Sequence, residues 1–468
     1  MFSLHRFKTF PHGVHPPQVK AATCGHPIRR FPFAPFLVLL LSQHAGKPAQ
    51  PIVREGQEVT RGQPVAEADG FVSAPIHAPA TGVIVKIGTA LDTGGKMAPA
   101  IVLKPFPGSD QQMAWGTPVD VNQLTPGEII ARIQEMGMVG LGGAAFPAHV
   151  KFTPPEGCTI DTLIVNGCEC EPYLTADHRV MLEFPAEVLL GTRLVQKALG
   201  ARRAIIAVES NKPDAVRALQ ALLASHGGGG DSGAGDSGDG GEDGSRRDNG
   251  GISVEVLETK YPQGAEKMLT LALLGRAIPS GKLPPHVGVM VSNVTTLAEI
   301  GALLPRGQGL IERVITIGGR GVERPGNYLM PIGTPLGFIC DQVGMRGQAR
   351  EVILGGPMMG RGVAFLETPV TKGVSGILVL TDAELPRARR VYPCIKCAEC
   401  LKACPIHLNP SMLGALAAKQ SFETMADSYH LFECFECGCC SYVCPANIPL
   451  VQLFRVAKTH LRRLKAAG

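Results

Sequence analysis

The feature that most restricts this chain is a cysteine pattern written twice near its end. Cys394-x-x-Cys397-x-x-Cys400-x-x-x-Cys404-Pro405 is repeated as Cys434-x-x-Cys437-x-x-Cys440-x-x-x-Cys444-Pro445. Three thiolates separated by pairs of residues wrap a tight loop around one corner of a cubane. In two-cluster ferredoxins the fourth cysteine, followed by proline, ligates the other cluster. The pattern therefore predicts two [4Fe–4S] clusters with crossed ligands. Cys394, Cys397, Cys400 and Cys444 would hold one, and Cys434, Cys437, Cys440 and Cys404 the other. Zinc is the competing reading, but zinc sites use cysteine pairs rather than a triplet closed by Cys-Pro. Cys439, inside the second array, reads as a spectator thiol. The stretch between the arrays includes SMLGALAAKQSFETMADSYHLF, which predicts an α-helical ferredoxin-like domain over 385–455 rather than the compact βαβ form.

The rest of the chain is read against that end. Fourteen cysteines in 468 residues do not make a secreted disulfide scaffold, which is typically short, and nine of them fall between Cys394 and Cys444. Such thiolates survive best in a reducing cytosol. At roughly 150 residues per domain the length predicts about three domains. Gly (57) and Pro (38) make up about a fifth of the residues against an average near 12%, which favours turns and backbone close to ligands over long helices. A net charge of +5 spread along the chain gives no support to nucleic-acid binding. The longest apolar run, Phe36–Leu41, is far below the ~20 residues needed to span a bilayer. Despite Arg29 and Arg30 before it, it reads as a buried strand rather than an export signal.

Residues 1–110 read as an N-terminal arm followed by a β-rich module. VREGQEVTRGQPVAEAD and IHAPATGVIVKI have the strand, turn, strand pattern of a lipoyl-type sandwiched barrel. ADGFVSAPIHAP lacks the lysine that would carry a covalent cofactor, so the module is structural. Residues 120–300 alternate strand and helix, as in TLIVNG, FPAEVLLGTRLVQKALG and RAIIAVES, which predicts an α/β parallel sheet with crossover helices. Within it, 227–251 is so rich in Gly, Asp and Ser that it reads as a flexible, solvated insertion. Residues 301–380 form a small β-rich module. His12 and His15 in PHGVHPP read as part of an arm that packs on a partner rather than as metal ligands. Lys458, Arg462, Arg463 and Lys465 make a basic helix end, read first as a solvated face and otherwise as a contact for anionic lipid or an acidic partner. Gly355-Gly-Pro-Met-Met-Gly360 reads as a tight approach between modules.

Gly140-Leu-Gly142-Gly143-Ala-Ala-Phe146-Pro147, with Lys151 just beyond, follows a helix and is not the strand–loop–helix dinucleotide fingerprint. It offers backbone N–H groups and one cation suited to a phosphate, or it is a plain turn. Strand TLIVNG then ends in Asn166-Gly-Cys168-Glu169-Cys-Glu171. Ligands in open parallel sheets bind beyond the carboxyl ends of strands, and an Asn with two carboxylates there could meet an isoalloxazine edge, a ribose or a nicotinamide. The Cys168/Cys170 pair alone is a weak metal signal.

These segments carry a resemblance. HGVHPP, the barrel stretch, GLGGAAFP, NGCECEPYLTADHRVM, SNVTTLA and both arrays resemble the RnfC family, from Rnf ion-translocating electron-transport complexes, over essentially the whole chain. The middle also resembles the flavin- and NADH-binding subunit of respiratory complex I, with its GRGGAGFPTGLKW and NADEGEP. The resemblance implies that Gly140, Gly142, Gly143, Phe146, Pro147 and Lys151 lie in the nucleotide loop. It puts Asn166, Cys168 and Glu169 against a non-covalent FMN, and Glu171, the candidate catalytic residue, at the nicotinamide end of NADH. Tyr261 and Glu266 match the family's Tyr-x-x-Gly-Glu-Glu, and Ser292, Asn293 and Thr296 fall in its Asn-Asn-Val-Glu-Thr stretch. Leu141, Cys168 and Ala265 replace an arginine, an aspartate and a glutamate, which removes charged partners for NADH. The function implied is transfer of electrons between NADH/NAD, FMN and the two clusters, to or from ferredoxin and the membrane subunits. The implied location is peripheral, on the cytoplasmic side of the inner membrane. A flavin diaphorase module of a soluble hydrogenase or formate dehydrogenase is one alternative, and a wiring subunit without flavin is another.

Overall fold

The computed structural model describes residues 7–226, 251–385 and 390–467. Apart from Gly251, the insertion expected at 227–251 lies outside them.

The apolar run near the start forms strand β1 (Leu37–Leu40), which pairs antiparallel with β3 (Met97–Pro105), itself paired along its length with β2 (Gly82–Leu91). A second small sheet of Gln50–Pro51, Pro64–Glu67 and Ile76–His77 packs with it. The two sheets sandwich Leu37, Leu39, Val65, Ile76, Ile84 and Leu103.

Helix α1 (Pro126–Glu135) starts where its sequence says it should. Thr125 and Glu128 form a capping box and Pro126 fills the first turn, where a missing N–H costs nothing. The parallel sheet follows, built from β4 (Thr162–Gly167), β5 (Arg203–Glu209), β6 (Ile252–Leu257) and β7 (Val289–Asn293) in the order β6-β5-β4-β7. Alternate residues of β4 face opposite ways. Leu163 and Val165 join the large core with α3 (Pro185–Leu199) and α6 (Val294–Leu303), while Ile164 packs towards Leu269 and Leu273 of α5 (Glu266–Leu274). Helices α2 (Ala176–Glu183) and α4 (Pro213–His226) complete the covering. A Cβ on Gly191 would meet Leu297 O at 1.8 Å, so α3 and α6 can pack this closely only because glycine stands at the crossing.

The third module is a six-stranded mixed sheet. It contains β8 (Glu312–Gly318), β9 (Gly326–Pro331), β10 (Ala349–Leu354) and β11 (Gly376–Thr381), with α7 (Leu336–Val343) packed on it. The C-terminal domain is helical, with α8 (Glu399–Ala403), α9 (Pro410–Ala418) and α10 (Leu450–Ala467) around Leu413, Met425, Leu431, Leu450 and Phe454.

The arm ahead of the barrel runs, over residues 7–30, as a strap across the other modules. Lys8 pairs with Leu257, and Val14 exchanges both backbone hydrogen bonds with Tyr261. Gly13 N–H donates to Ala403 O, and Arg29–Arg30 adds a parallel strand beside β9. The strap has little core of its own, so it is held by other modules' edges. No described helix is long and apolar enough to cross a membrane.

Candidate flavin and iron–sulfur site

The glycine loop is clamped from behind and open in front. Gly140 N–H donates to Phe146 O (2.8 Å) and Ala145 N–H to Gly140 O (3.2 Å), which closes the turn. Leu141 N–H is held by the Thr296 hydroxyl at 2.9 Å, and Leu141 O by the Arg313 guanidinium at 3.0 Å. A peptide's C=O and N–H point in opposite directions, so turning Leu141 O towards Arg313 aims Gly142 N–H outward. Gly142, Gly143 and Ala144 are exposed, and among the described residues their amides have no protein acceptor. Gly143 sits at φ +109° with nothing within 4 Å of its would-be Cβ, a conformation that favours glycine. Three free amides over buried Arg313 fit an anionic group such as a phosphate.

Asn293 caps α6 by accepting from Thr296 N–H (3.2 Å) and reaches Asp177 with its amide (2.8 Å); the Thr295 hydroxyl donates to the same carboxylate (2.6 Å). Ser292 is buried on β7. Asn166 accepts from Cys168 N–H (3.0 Å) and donates to Gly264 O (2.8 Å). Lys151 and Glu266, both expected at the nucleotide site, form an ion pair with each other. Phe146 is partly exposed beside the loop.

Three expected cofactor contacts have other partners here. The Cys168 thiol is buried among Ile164, Ile205 and Leu257, and burial pushes it well up from its usual range. The Glu169 carboxylate accepts the N–H groups of Asp177 (2.9 Å) and His178 (3.3 Å) at the start of α2. Burial, opposed by the Lys20 charge, raises it to about 7. Glu171 accepts from Met358 N–H (3.0 Å) and Met359 N–H (2.9 Å), and burial likewise pushes it to about 7. Both carboxylates are therefore engaged by backbone amides. Residues without an obvious motif support this arrangement: Lys20 donates to the carbonyls of Glu169, Glu171 and Leu174. Buried Arg313 stands inside the apolar strand ERVITIG; a cation in such a strand was the one available signal. A cavity of about 820 Å³ opens between the barrel, α1 and the Leu304–Gly309 turn and touches none of these groups.

The cysteines fall into two groups. One cavity is walled by Cys404, Cys434, Cys437 and Cys440, together with Cys439. Burial raises the Cys400 thiol above its usual range, and Cys394, Cys397 and Cys444 lie near enough to raise it further. The thiols thus group across the two arrays. Among the described residues, no three His, Cys, Asp or Glu side chains converge as they would around a single metal ion, whereas four thiols around a cavity suit a multi-iron core. Cys439 is buried and hydrogen-bonded to the Cys437 thiol. The first group is the outer one: Cys394 and Cys397 are exposed, beside exposed Val391, Tyr392 and Ile395. The second is the inner one, because the Tyr261 hydroxyl donates to Cys437 O (2.6 Å) and Lys267 of α5 pairs with Glu433 (2.8 Å).

Comparison with known proteins matches this geometry. Residues 8–106 match the RnfC barrel sandwich hybrid domain, 133–302 the Nuo51 FMN-binding domain and 390–448 a 4Fe-4S dicluster domain. The RnfC-type subunit of the proton-translocating ferredoxin:NAD(+) oxidoreductase complex of Clostridium ljungdahlii is 40% identical over 98% of this chain and 95% of its own length. The chain belongs to the RnfC family. Another relative, the corresponding subunit of the Na(+)-translocating complex of Acetobacterium woodii, is 37% identical and covered over 98% of both chains. An NAD+-reducing [NiFe]-hydrogenase structure overlaps 66% of this RnfC-family chain and 55% of its own, at 21% identity and a TM-score of 0.47. The matched domains give the chain FMN and iron–sulfur clusters as cofactors.

Proposed function

We propose that the chain is the electron-entry and electron-wiring subunit of an Rnf-type complex, moving electrons between NADH/NAD and the other subunits, and through them ferredoxin. The names of the Clostridium and Acetobacterium relatives, each a subunit of an ion-translocating ferredoxin:NAD(+) oxidoreductase complex, support this placement. The match of residues 8–106 to the RnfC barrel module favours it over a hydrogenase or formate dehydrogenase diaphorase, and the FMN-domain match over a wiring subunit without flavin.

One observation carries the reading: the inner cysteine cavity abuts the strand-end site through Tyr261 and Cys437. FMN, when bound, exchanges the electron pair of a nicotinamide for single electrons. The chain's own residues supply the rest. Gly142, Gly143 and Ala144 offer amides to an anionic group, with Arg313 and Thr296 holding the loop in place. Asn166, Asn293 and Thr296 fix the strand ends that would meet the flavin, and Lys151 and Glu266, paired with each other, would border the dinucleotide. Cys404, Cys434, Cys437 and Cys440 would hold the inner cluster, and Cys394, Cys397, Cys400 and Cys444 the outer one, beside the exposed thiols of Cys394 and Cys397. The protein would sit peripherally on the cytoplasmic face of the inner membrane as part of the translocase.

The test is FMN content and NADH-reducible clusters in the anaerobically purified chain. A flavin band with both clusters reduced by NADH supports the reading. Clusters without flavin would return it to a wiring subunit.

A further inference from the structure

The loop Gly355-Gly-Pro-Met-Met-Gly360 lies between two functional centres and touches both. On one side Glu171 accepts the N–H groups of Met358 (3.0 Å) and Met359 (2.9 Å). The fit there is tight, since a Cβ on Gly356 would stand 2.2 Å from the Glu171 carboxylate. On the other side a Cβ on Gly438, inside the inner cysteine array, would stand 3.0 Å from Met358 O. Arg455 of α10 reaches Met359 O at 3.4 Å and holds Glu436 with its Nε at 2.9 Å. Met358 packs in one apolar cluster with Tyr261, Cys170, Cys437 and Cys439. Tyr261 completes the bracket: it packs with Met358 in that cluster and donates its hydroxyl to Cys437 O. Lys20 of the strap fixes the Glu171 backbone by donating to its carbonyl at 2.9 Å.

We propose that this loop is a spacer clamped between the flavin domain and the inner cluster, and that Glu171 is the positioning residue that sets their separation. The proposal rests on the electron path given above and adds to it the part that fixes its first gap. Electron transfer between fixed centres depends on a separation that does not fluctuate. A carboxyl group whose two oxygens meet adjacent amides is a rigid way to hold a loop, because two bonds fix its orientation as well as its distance. The third module is thereby made part of the route, although it contributes none of the cluster thiols.

The experiment uses the full chain carrying FMN and both clusters, reduced anaerobically by NADH in a single turnover. Flavin bleaching and cluster bleaching are followed as separate phases. Gly356→Ala, which forces the carboxylate off its seat, should leave the flavin phase at the wild-type rate. It should slow the cluster phase about tenfold or more, the scale on which small misplacements act. Glu171→Ala should slow the cluster phase and speed hydrogen exchange at the Met358 and Met359 amides. Glu171→Gln, which keeps one acceptor oxygen, should fall between it and wild type. A wild-type cluster phase in Gly356→Ala overturns the proposal. So does a slowed flavin phase in Glu171→Gln with the cluster phase intact, which would return Glu171 to the nicotinamide. Proportional loss of flavin or clusters in all three variants would make the loop merely structural and also overturn it. If NADH fails to reduce the flavin even in wild type, the proposed function falls instead, and photochemical reduction of the flavin still reads the clamp.

Discussion

The two cysteine arrays are nearly the same sentence in the sequence and very different places in the fold. Cys394 and Cys397 stand exposed on an irregular segment, with Val391 and Ile395 uncovered beside them. Cys404, Cys437 and Cys440 are buried, walled by Leu408, Val451 and Phe454 and tied to the flavin domain through Tyr261. Ligand spacing fixes which cluster is made; what packs around it decides whether it exchanges electrons inward or outward. A dry, bonded surrounding also tunes reduction potential. The repeat therefore supplies two like centres, and the neighbouring modules make them unlike.

The largest effect expected is loss of one cluster. Cys404→Ser should damage the cluster of Cys434, Cys437 and Cys440 and spare its own sequence neighbours, while Cys444→Ser should do the reverse. EPR of the reduced variants checks both, and perturbation of only the Cys394 cluster in Cys404→Ser would refute the crossed grouping. Next comes Tyr261→Phe, which leaves Cys437 O without its donor in a buried place. It should cost on the order of 1–3 kcal/mol and move the inner cluster's potential while the outer one stays put; redox titration of the two signals decides it. A titration of stability against pH should show a smaller difference. The Glu171 carboxyl is raised from its ordinary value to about 7 by burial, so the native state binds more protons than the unfolded one between about 4.5 and 7. Its contribution is present below that window and is lost as pH rises through it; Glu171→Gln should flatten that fall, read by denaturant melts at several pH values. The smallest effect belongs to Glu433. Lys267, and after it Ser280, hold its carboxyl down at about 2. Its contribution is present above about 4.5 and is lost as pH falls towards 2. Because solvent still reaches and screens this part-buried pair, Glu433→Gln should remove only about 1 kcal/mol, and less at high salt.

How much of this was legible beforehand depends on the range of the signal. Cysteine spacing is local, so both arrays could be read directly, as could the β4 run. The Phe36–Leu41 strand was legible because an apolar run that short must be covered. Glu169 and Glu171 were placed by their position at a strand end, but strand ends also need their backbone groups satisfied. The α2 amides and the Met358–Met359 amides, one pair near in sequence and the other far, took those carboxylates. Arg313 and Lys20 act over separations of well over a hundred residues; no window of sequence contains both the cation and the carbonyl it serves. Where the arm docks could not be read for the same reason, since each of its partners lies in another module.

That strap bears on how the chain is put together in time. Val14 and Arg29 leave the ribosome early, whereas Tyr261, Tyr328 and Ala403, to which this segment bonds, follow far behind. At synthesis rates of about 5–20 residues per second the strap waits on the order of tens of seconds for its last partner. Joining such distant stretches also carries a loop-closure cost, one that grows only slowly with length. Barrel and parallel sheet can close in that interval while the strap is still loose. A segment translated well before its partners is thus among the last to be fastened, and it ties together modules that can already have closed.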